Sequence, residues 1–436
     1  SHARPWDGRR LASWLEHDVA EPTAGRITGA THHSGRVRPG DLFFALPGAN
    51  GHGIDHADDA LAAGASLVIS DRRHPRGVQV PDPAATLLRL GAWARARLRG
   101  PVVAVTGSVG KTTAKALLAA ALDADASEGN LNTPHALAGR LFRAYADGRP
   151  RPLVLELGID RIGEMEVLTD LVRPDMGLLT AVGASHLDGL GDRATVLREK
   201  SRLLTSAPRA VAADDAYQRL PEALRARTAR YGLDHPHADA SGTQAGSPLA
   251  PTLHLSRPTD LRTDLPGPGR GLAESAVGAL LVADLLGVPL RDAAARLAHA
   301  PLEPGRLTVR TIGGLTVIDD SYNANPGSLL DALEVLRAGP GPHRALLGDM
   351  RELGSESEAQ HRALGEATRD LQQVLYVGSE AEAVRSGNPE VQVLHDAQVA
   401  EAIDRLPLEG TLLIKASRSL AFERWVQRLH DREAVS

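Results

Sequence analysis

The chain predicts an α/β protein of three domains: a small N-terminal α/β unit, a central doubly wound parallel sheet with a phosphate loop, and a C-terminal Rossmann-like unit. Three observations carry this. Apolar runs of strand length recur with helical stretches between them, the pattern of parallel sheets flanked by helices. One such run, Val102-Val103-Ala104-Val105, passes through a glycine-containing loop with a lysine straight into a helix. The 436 residues are enough for two to four domains, each with its own core.

In chain order, the first unit spans residues 1–82. Residues 37–46 read as a turn entering a strand, 57–63 as a short helix and 67–69 as a strand after Gly64. Pro81 and Pro83 break the pattern. The second unit, 83–306, opens with an amphipathic helix over 86–99. It continues with the strand 102–105, a helix over 112–122, and strands at 153–155 and 176–180. Residues 236–270, rich in Pro, Gly, Ser and Thr, have no clear element before a helix over 272–286. The third unit, 307–436, has strand-like runs at 315–318, 344–347, 373–377 and 411–414, with a helix over 328–337.

Composition excludes several function classes. A net charge of −5 argues against nucleic-acid binding, which needs a basic surface. The absence of cysteine excludes disulfides and thiolate chemistry and fits a reducing, cytoplasmic setting. No apolar run reaches the ~18 residues of a membrane span. The start, Ser1-His2-Ala3, lacks an apolar run and reads as a cloning remnant or trimmed terminus, not a signal peptide. Of the 49 basic residues only Lys111, Lys115, Lys200 and Lys415 are lysine. A coding bias explains the arginines; the surviving lysines then mark places where a planar guanidinium does not serve.

The loop Thr106-Gly107-Ser108-Val109-Gly110-Lys111-Thr112-Thr113 has the chemistry of a triphosphate cradle. Glycines let the backbone wrap the anion, and amides at the helix start point at it. Lys111 would neutralise phosphate charge and Thr112 would ligate Mg²⁺. Val105 stands where the strict Walker pattern has glycine, and an ordinary strand–helix turn is the alternative.

Glu156 follows one strand-like run and His186 another, so both are expected at the carboxyl ends of strands, beside the loop. Lys200 follows His186 by fourteen residues. Each has a plainer reading: Glu156 as a helix cap, His186 as an ordinary core or surface histidine, Lys200 as a helix lysine in an ion pair.

Together these segments resemble the Mur ligase family. The resemblance rests on the phosphate loop, on Leu155-Glu156-Leu157-Gly158 with Gly163-Glu164, and on Arg173-Pro174-Asp175. It extends to Gly183-Ala184-Ser185-His186-Leu187-Asp188 and the His186-to-Lys200 spacing. In the third unit, Asp319-Asp320-Ser321-Tyr322-Asn323-Ala324-Asn325-Pro326, Asp349-Met350-Arg351-Glu352-Leu353-Gly354 and Lys415-Ala416-Ser417-Arg418-Ser419 look like the branch that adds D-alanyl-D-alanine. Gly305-Arg306 and the 38–48 segment fit the same branch. The chain departs from it at His33-Ser34-Gly35-Arg36, at Asn132-Thr133-Pro134 and near Gly269-Arg270-Gly271, which bear on the peptide acceptor and the adenine contacts.

The resemblance implies an ATP-dependent amide ligase that joins D-alanyl-D-alanine to a UDP-muramoyl-tripeptide through an acyl phosphate, with one chain sufficing. It implies two Mg²⁺ ions, one on Thr112 and Glu156, the other on His186 and a Lys200 carbamate formed from carbon dioxide. Catalysis would fall to Lys111, His186 and Lys200, while Arg306, Asp320 and Asn323 would meet the nucleotide across a domain gap. Two rivals stay open: a sister ligase adding a single amino acid, and a non-ligase phosphate-loop regulator.

Overall fold

The structure, a computed structural model, describes residues 6–16, 25–48, 51–129, 131–183 and 190–435. Three main sheets account for most of it.

The first sheet has four parallel strands, Gly29–Thr31, Asp41–Ala45, Leu67–Ser70 and Gly77–Gln79, adjacent in chain order. Side chains alternate across a strand, so Leu42 and Phe44 enter the large core while Phe43 and Ala45 join a small cluster with Ala57, Ala60 and Val68. The large-core face is covered by the helix Pro134–Asp147, which belongs to the next unit in sequence. That helix lies almost on the strand: a Cβ at Gly139 would come within 2.5 Å of the Ala30 carbonyl oxygen. Charge reinforces the contact. Asp41 is fully buried and accepts from Arg143 Nη2 at 2.8 and 2.7 Å and from the Arg38 amide at 2.9 Å.

The central sheet has nine strands. Val102–Thr106 lies between Met176–Leu179 and Leu153–Glu156, parallel to both. Chain order runs one way from it and the other way on its far side, so a topological switch point lies at its carboxyl end. That is where open α/β sheets bind ligands. The next strands on the first side, Arg209–Ala213 and Thr228–Leu233, are also parallel. Ala240–Ser247 is parallel to the last of these, and beyond it the sheet turns antiparallel through Ala250–Arg257 and Leu261–Asp264. In this stretch composition alone shows no clear element. Its strand signal is short: Leu253 and Leu255 are buried and alternate with the half-exposed Thr252 and His254.

The third sheet has six strands. Gly314–Asp320, Glu409–Lys415, His343–Gly348 and Gln373–Val377 are mutually parallel, as expected. Thr308–Ile312 adds an antiparallel edge outside that expectation.

Two helix starts also differ from the sequence reading. The helix before the central sheet is Pro83–Arg95, not 86–99: Asp82 caps it, and Pro83 occupies its first turn, where a fixed φ favours helix entry. The helix Gly8–Leu15 is an element that the sequence reading lacks. Among the described residues no helix is long and apolar enough to cross a membrane.

The Asp41–Arg143 pair yields a stability test. Arg143→Ala strands a buried carboxylate at the junction of the first sheet and the helix, which costs about 3 kcal/mol. A clear fall in the denaturant midpoint is expected; an unchanged midpoint would show that the pair is dispensable.

Candidate functional site

The carboxyl ends of the central and third sheets face one another across a cavity of about 1160 Å³. Residues 108–113 form its wall on one side; Arg306, Asp320 and Asn323 lie on the other.

The loop is fixed from behind. Thr106 is buried and donates through its hydroxyl to the Leu157 carbonyl at 2.8 Å. Gly107 backs onto Thr180, leaving 1.9 Å for a Cβ before the Thr180 hydroxyl. Thr180 in turn donates to the Val109 carbonyl at 2.6 Å. Thr106 and Gly107 thus stand behind the wall rather than in it, and residues 108–113 present the loop. Gly110 takes φ +82°, a left-handed conformation that glycine adopts without strain, and starts the helix Lys111–Ala121. No side chain caps this helix, so its first amides and positive dipole end are directed to the cavity.

Charge and hydrogen bonding meet at the loop's far end. Lys111 Nζ donates to the Gly107 carbonyl at 2.9 Å. Burial pushes its pKa down, with Glu156 opposing the shift. Thr112 Oγ1 donates to Glu156 Oε2 at 2.9 Å, and Glu156 is itself buried at the end of its strand. Glu156 is therefore no helix cap. Lys115, one turn along the helix, lies 3.6 Å from the same carboxylate oxygen and donates to the Gly129 carbonyl.

Lys200 sits in the helix Arg193–Ser206, fully buried. Among the described residues its Nζ has no hydrogen-bond partner. Burial, and after it the Lys111 ammonium, push its pKa well below the ordinary lysine range. The side chain is buried, not a surface lysine, and has no ion pair among the described residues. It stands behind the cavity lining, close enough to feel Lys111, Glu156 and Asp160. His186 lies outside the described residues.

On the opposite wall, Asp320 accepts from Lys415 Nζ and from the Leu307 amide at 3.0 Å. Burial raises the Asp320 pKa and Lys415 opposes the rise. Lys415 also donates to the Asn323 carbonyl at 2.9 Å, and Asn323 accepts the Ala324 amide at 2.9 Å through its side chain. Arg306 lays its guanidinium over the Tyr322 ring, 4.0 Å from the centroid, with Arg418 at 5.2 Å. Asp349 anchors the loop below. Burial disfavours its charge, but bonds from the Tyr376 hydroxyl, the Ser379 and Glu380 amides and the Ser379 hydroxyl hold its pKa below the usual range.

Sequence reasoning missed one residue that joins the two walls. Asp331, on the helix Pro326–Ala338, accepts the Arg270 and Gly271 amides at 2.7 and 3.0 Å. It caps the helix Arg270–Leu285 of the central unit from the third unit. A lone aspartate in a helical run carries no sequence signal of such a contact.

Among the described residues no three His, Asp or Glu side chains gather as a metal site. The Thr112–Glu156 pair offers hard oxygens of the kind Mg²⁺ prefers.

Two fully buried lysines should answer oppositely to the same change. Lys415→Met leaves buried Asp320 without its cation, at a cost of about 3 kcal/mol or more. Lys200→Met removes an amine that burial has stripped of water without return, and should hold or raise the melting temperature. Equal destabilisation by both would contradict the burial account.

Comparison with known proteins is consistent over the whole length. Family models described as "Mur ligase family, catalytic domain", "Mur ligase middle domain" and "Mur ligase, glutamate ligase domain" match residues 26–89, 105–283 and 305–418. The UDP-N-acetylmuramoyl-tripeptide--D-alanyl-D-alanine ligase of Escherichia coli (strain K12) is 31% identical over 435 residues, covering 93% of this chain and 94% of that protein. The protein of the same name from Mycobacterium tuberculosis (strain H37Rv) is 32% identical, covering 81% and 78%. A crystal structure of MurF from Acinetobacter baumannii superposes with a TM-score of 0.83 at 26% identity, covering 99% of this chain and 100% of that one. MurF ligase from Thermotoga maritima in complex with ADP gives 0.79 at 27%, covering 93% and 98%.

Proposed function

Because the chain belongs to the Mur ligase family, we propose that it joins D-alanyl-D-alanine to UDP-N-acetylmuramoyl-tripeptide at the cost of ATP, in peptidoglycan precursor synthesis. The observation that carries this reading is the cavity itself, where a phosphate loop faces Arg306, Asp320 and Asn323 across the gap between two sheets. Its supports are the full-length likeness to ligases of that name and an ADP complex among the structural relatives.

The reaction makes three physical demands: charge neutralisation, positioning and exclusion of water. Residues 108–113 bind the triphosphate through amides and the helix end, and Lys111 meets its charge at the cavity wall. Arg306 meets it from the opposite wall. The γ-phosphoryl group moves to the terminal carboxylate of the tripeptide, giving an acyl phosphate and ADP. The dipeptide amine attacks the acyl carbon, the C–N bond forms and phosphate leaves. Residues 1–82 hold the UDP precursor, 83–306 the ATP, and 307–436 the dipeptide while closing over the nucleotide. An ATP- and UDP-dependent reaction suits the cytoplasm.

Magnesium, when bound, neutralises phosphoryl charge. Thr112 and Glu156 are fitted to hold one ion. His186 and Lys200 are assigned to a second, with Lys200 carrying carbon dioxide as a carbamate. The fit rests on its buried amine, which has no hydrogen-bond partner among the described residues and whose pKa burial pushes down, toward the neutral form that captures carbon dioxide. A carbamate would also supply two hard oxygens of the kind Mg²⁺ prefers.

Phosphate release should require UDP-muramoyl-tripeptide and D-alanyl-D-alanine together, and a panel of amines checks this. A single amino acid outperforming the dipeptide would move the assignment to a sister ligase; nucleotide binding with no ligation of any amine would favour a regulator. Lys200→Arg should still bind ADP yet lose ligation, since a guanidinium keeps its charge and captures no carbon dioxide. Ligation by that variant at the wild-type rate would remove the carbamate from the account.

A further inference from the structure

The linker between the helix Leu290–Leu297 and the strand Thr308–Ile312 carries Glu303, Pro304, Gly305 and Arg306. Gly305 takes φ +75°, and its carbonyl accepts the Tyr322 amide at 2.9 Å. The next residue stacks its guanidinium on the ring of that same tyrosine. Backbone and side chain of the linker thus grip one residue of the third unit.

Stacking fixes the plane of a guanidinium but leaves it free to turn within that plane. Arg306 Nε is buried and has no hydrogen-bond partner among the described residues. The nearest carboxylate atom is Glu303 Oε2, at 3.5 Å. The other oxygen, Glu303 Oε1, lies 3.6 Å from Lys115 Nζ on the phosphate-loop helix. Lys115 is 3% exposed and reaches Glu156 and the Gly129 carbonyl as well. Glu303 therefore has one oxygen toward Arg306 and the other toward the phosphate-loop helix, and does not itself line the cavity.

The geometry points to Glu303 as a positioning residue for the nucleotide: tethered by Lys115 to the phosphate-loop helix, it turns Arg306 so that its terminal nitrogens face the phosphates opposite Lys111. The inference rests on the nucleotide reading above. Two effects of the carboxylate compete. Its charge repels a polyanion, so removing it would tighten binding if charge alone counted. Its hold on Arg306 aims a charge-assisted hydrogen bond, so removing it would loosen binding if orientation dominates. The proposal commits to orientation as the larger effect, and the sign of the change reads the role.

The test is ADP binding by calorimetry, with wild type, Glu303→Gln, Arg306→Ala and the double variant. Glu303→Gln keeps the side chain's shape and should weaken ADP binding about tenfold, the scale of one charge-assisted hydrogen bond. In the Arg306→Ala background the same change should alter binding by less than about twofold, because the residue it aims is gone. The KM for ATP should rise with Glu303→Gln while the KM values for the other two substrates hold. If that variant folds poorly, Glu303→Asp, which withdraws the carboxylate, should show the same selective weakening. Equal or tighter ADP binding by Glu303→Gln, or effects that add in the double variant, would overturn the inference while leaving the function standing. Wild type that fails to bind ADP would overturn both.

Discussion

The site depends on the register of two parallel strands. Val105 pairs with Glu156 in the central sheet, so the phosphate loop and the carboxylate leave the sheet at the same level. The hydrogen bond from Thr112 Oγ1 to Glu156 follows from that alignment. A one-residue slip would reverse the faces of the strand and send Glu156 away from the loop. The burial of Val103, Val105 and Val154 in one core and of Val102, Ala104 and Leu155 in another locks the register from both faces.

On that frame the chain disposes its cations unusually. There are 49 basic residues of which four are lysines, leaving 49 − 4 = 45 arginines. Lys115, Lys200 and Lys415 are each 3% exposed or less, and Lys111 is pressed into the loop. Many arginines by contrast sit in exposed ion pairs, such as Arg193 with Glu356 and Arg428 with Asp404. A compact ammonium enters spaces that a planar fork does not, and its charge state responds to burial. The same selection separates roles among the lysines. Lys415 is satisfied by Asp320 and the Asn323 carbonyl, Lys115 is shared by two carboxylates, and Lys200 has no hydrogen-bond partner among the described residues.

This is also why much of the site is legible in the sequence. Apolar runs locate the strands that carry the site, while Gly29–Thr31, Gly77–Gln79, Arg209–Ala213 and Thr228–Leu233 are parallel strands that the sequence reading lacks; lysines surviving in an arginine-rich chain mark the buried chemistry. The exceptions have physical causes. The antiparallel strands from Ala240 to Asp264 carry few apolar residues, because much of their surface is half-exposed. Pro83 looks like a breaker but is a helix starter once Asp82 caps it. Thr106 and Gly107 belong to the loop motif yet serve behind it, since Thr180 fills the space against them. Asp331 acts through the Arg270 and Gly271 amides, and Glu303 meets Lys115, partners far away in sequence that no local pattern announces.

The central claim is that this cavity activates a carboxylate by phosphorylating it, and the fate of the carboxylate oxygens tests that claim most directly. The tripeptide precursor would be prepared with heavy oxygen in its terminal carboxylate and turned over with ATP and D-alanyl-D-alanine. The account predicts that one labelled oxygen per turnover appears in the released inorganic phosphate, because the acyl–oxygen bond is the one that breaks. Phosphate released without label, alongside amide product, would contradict it.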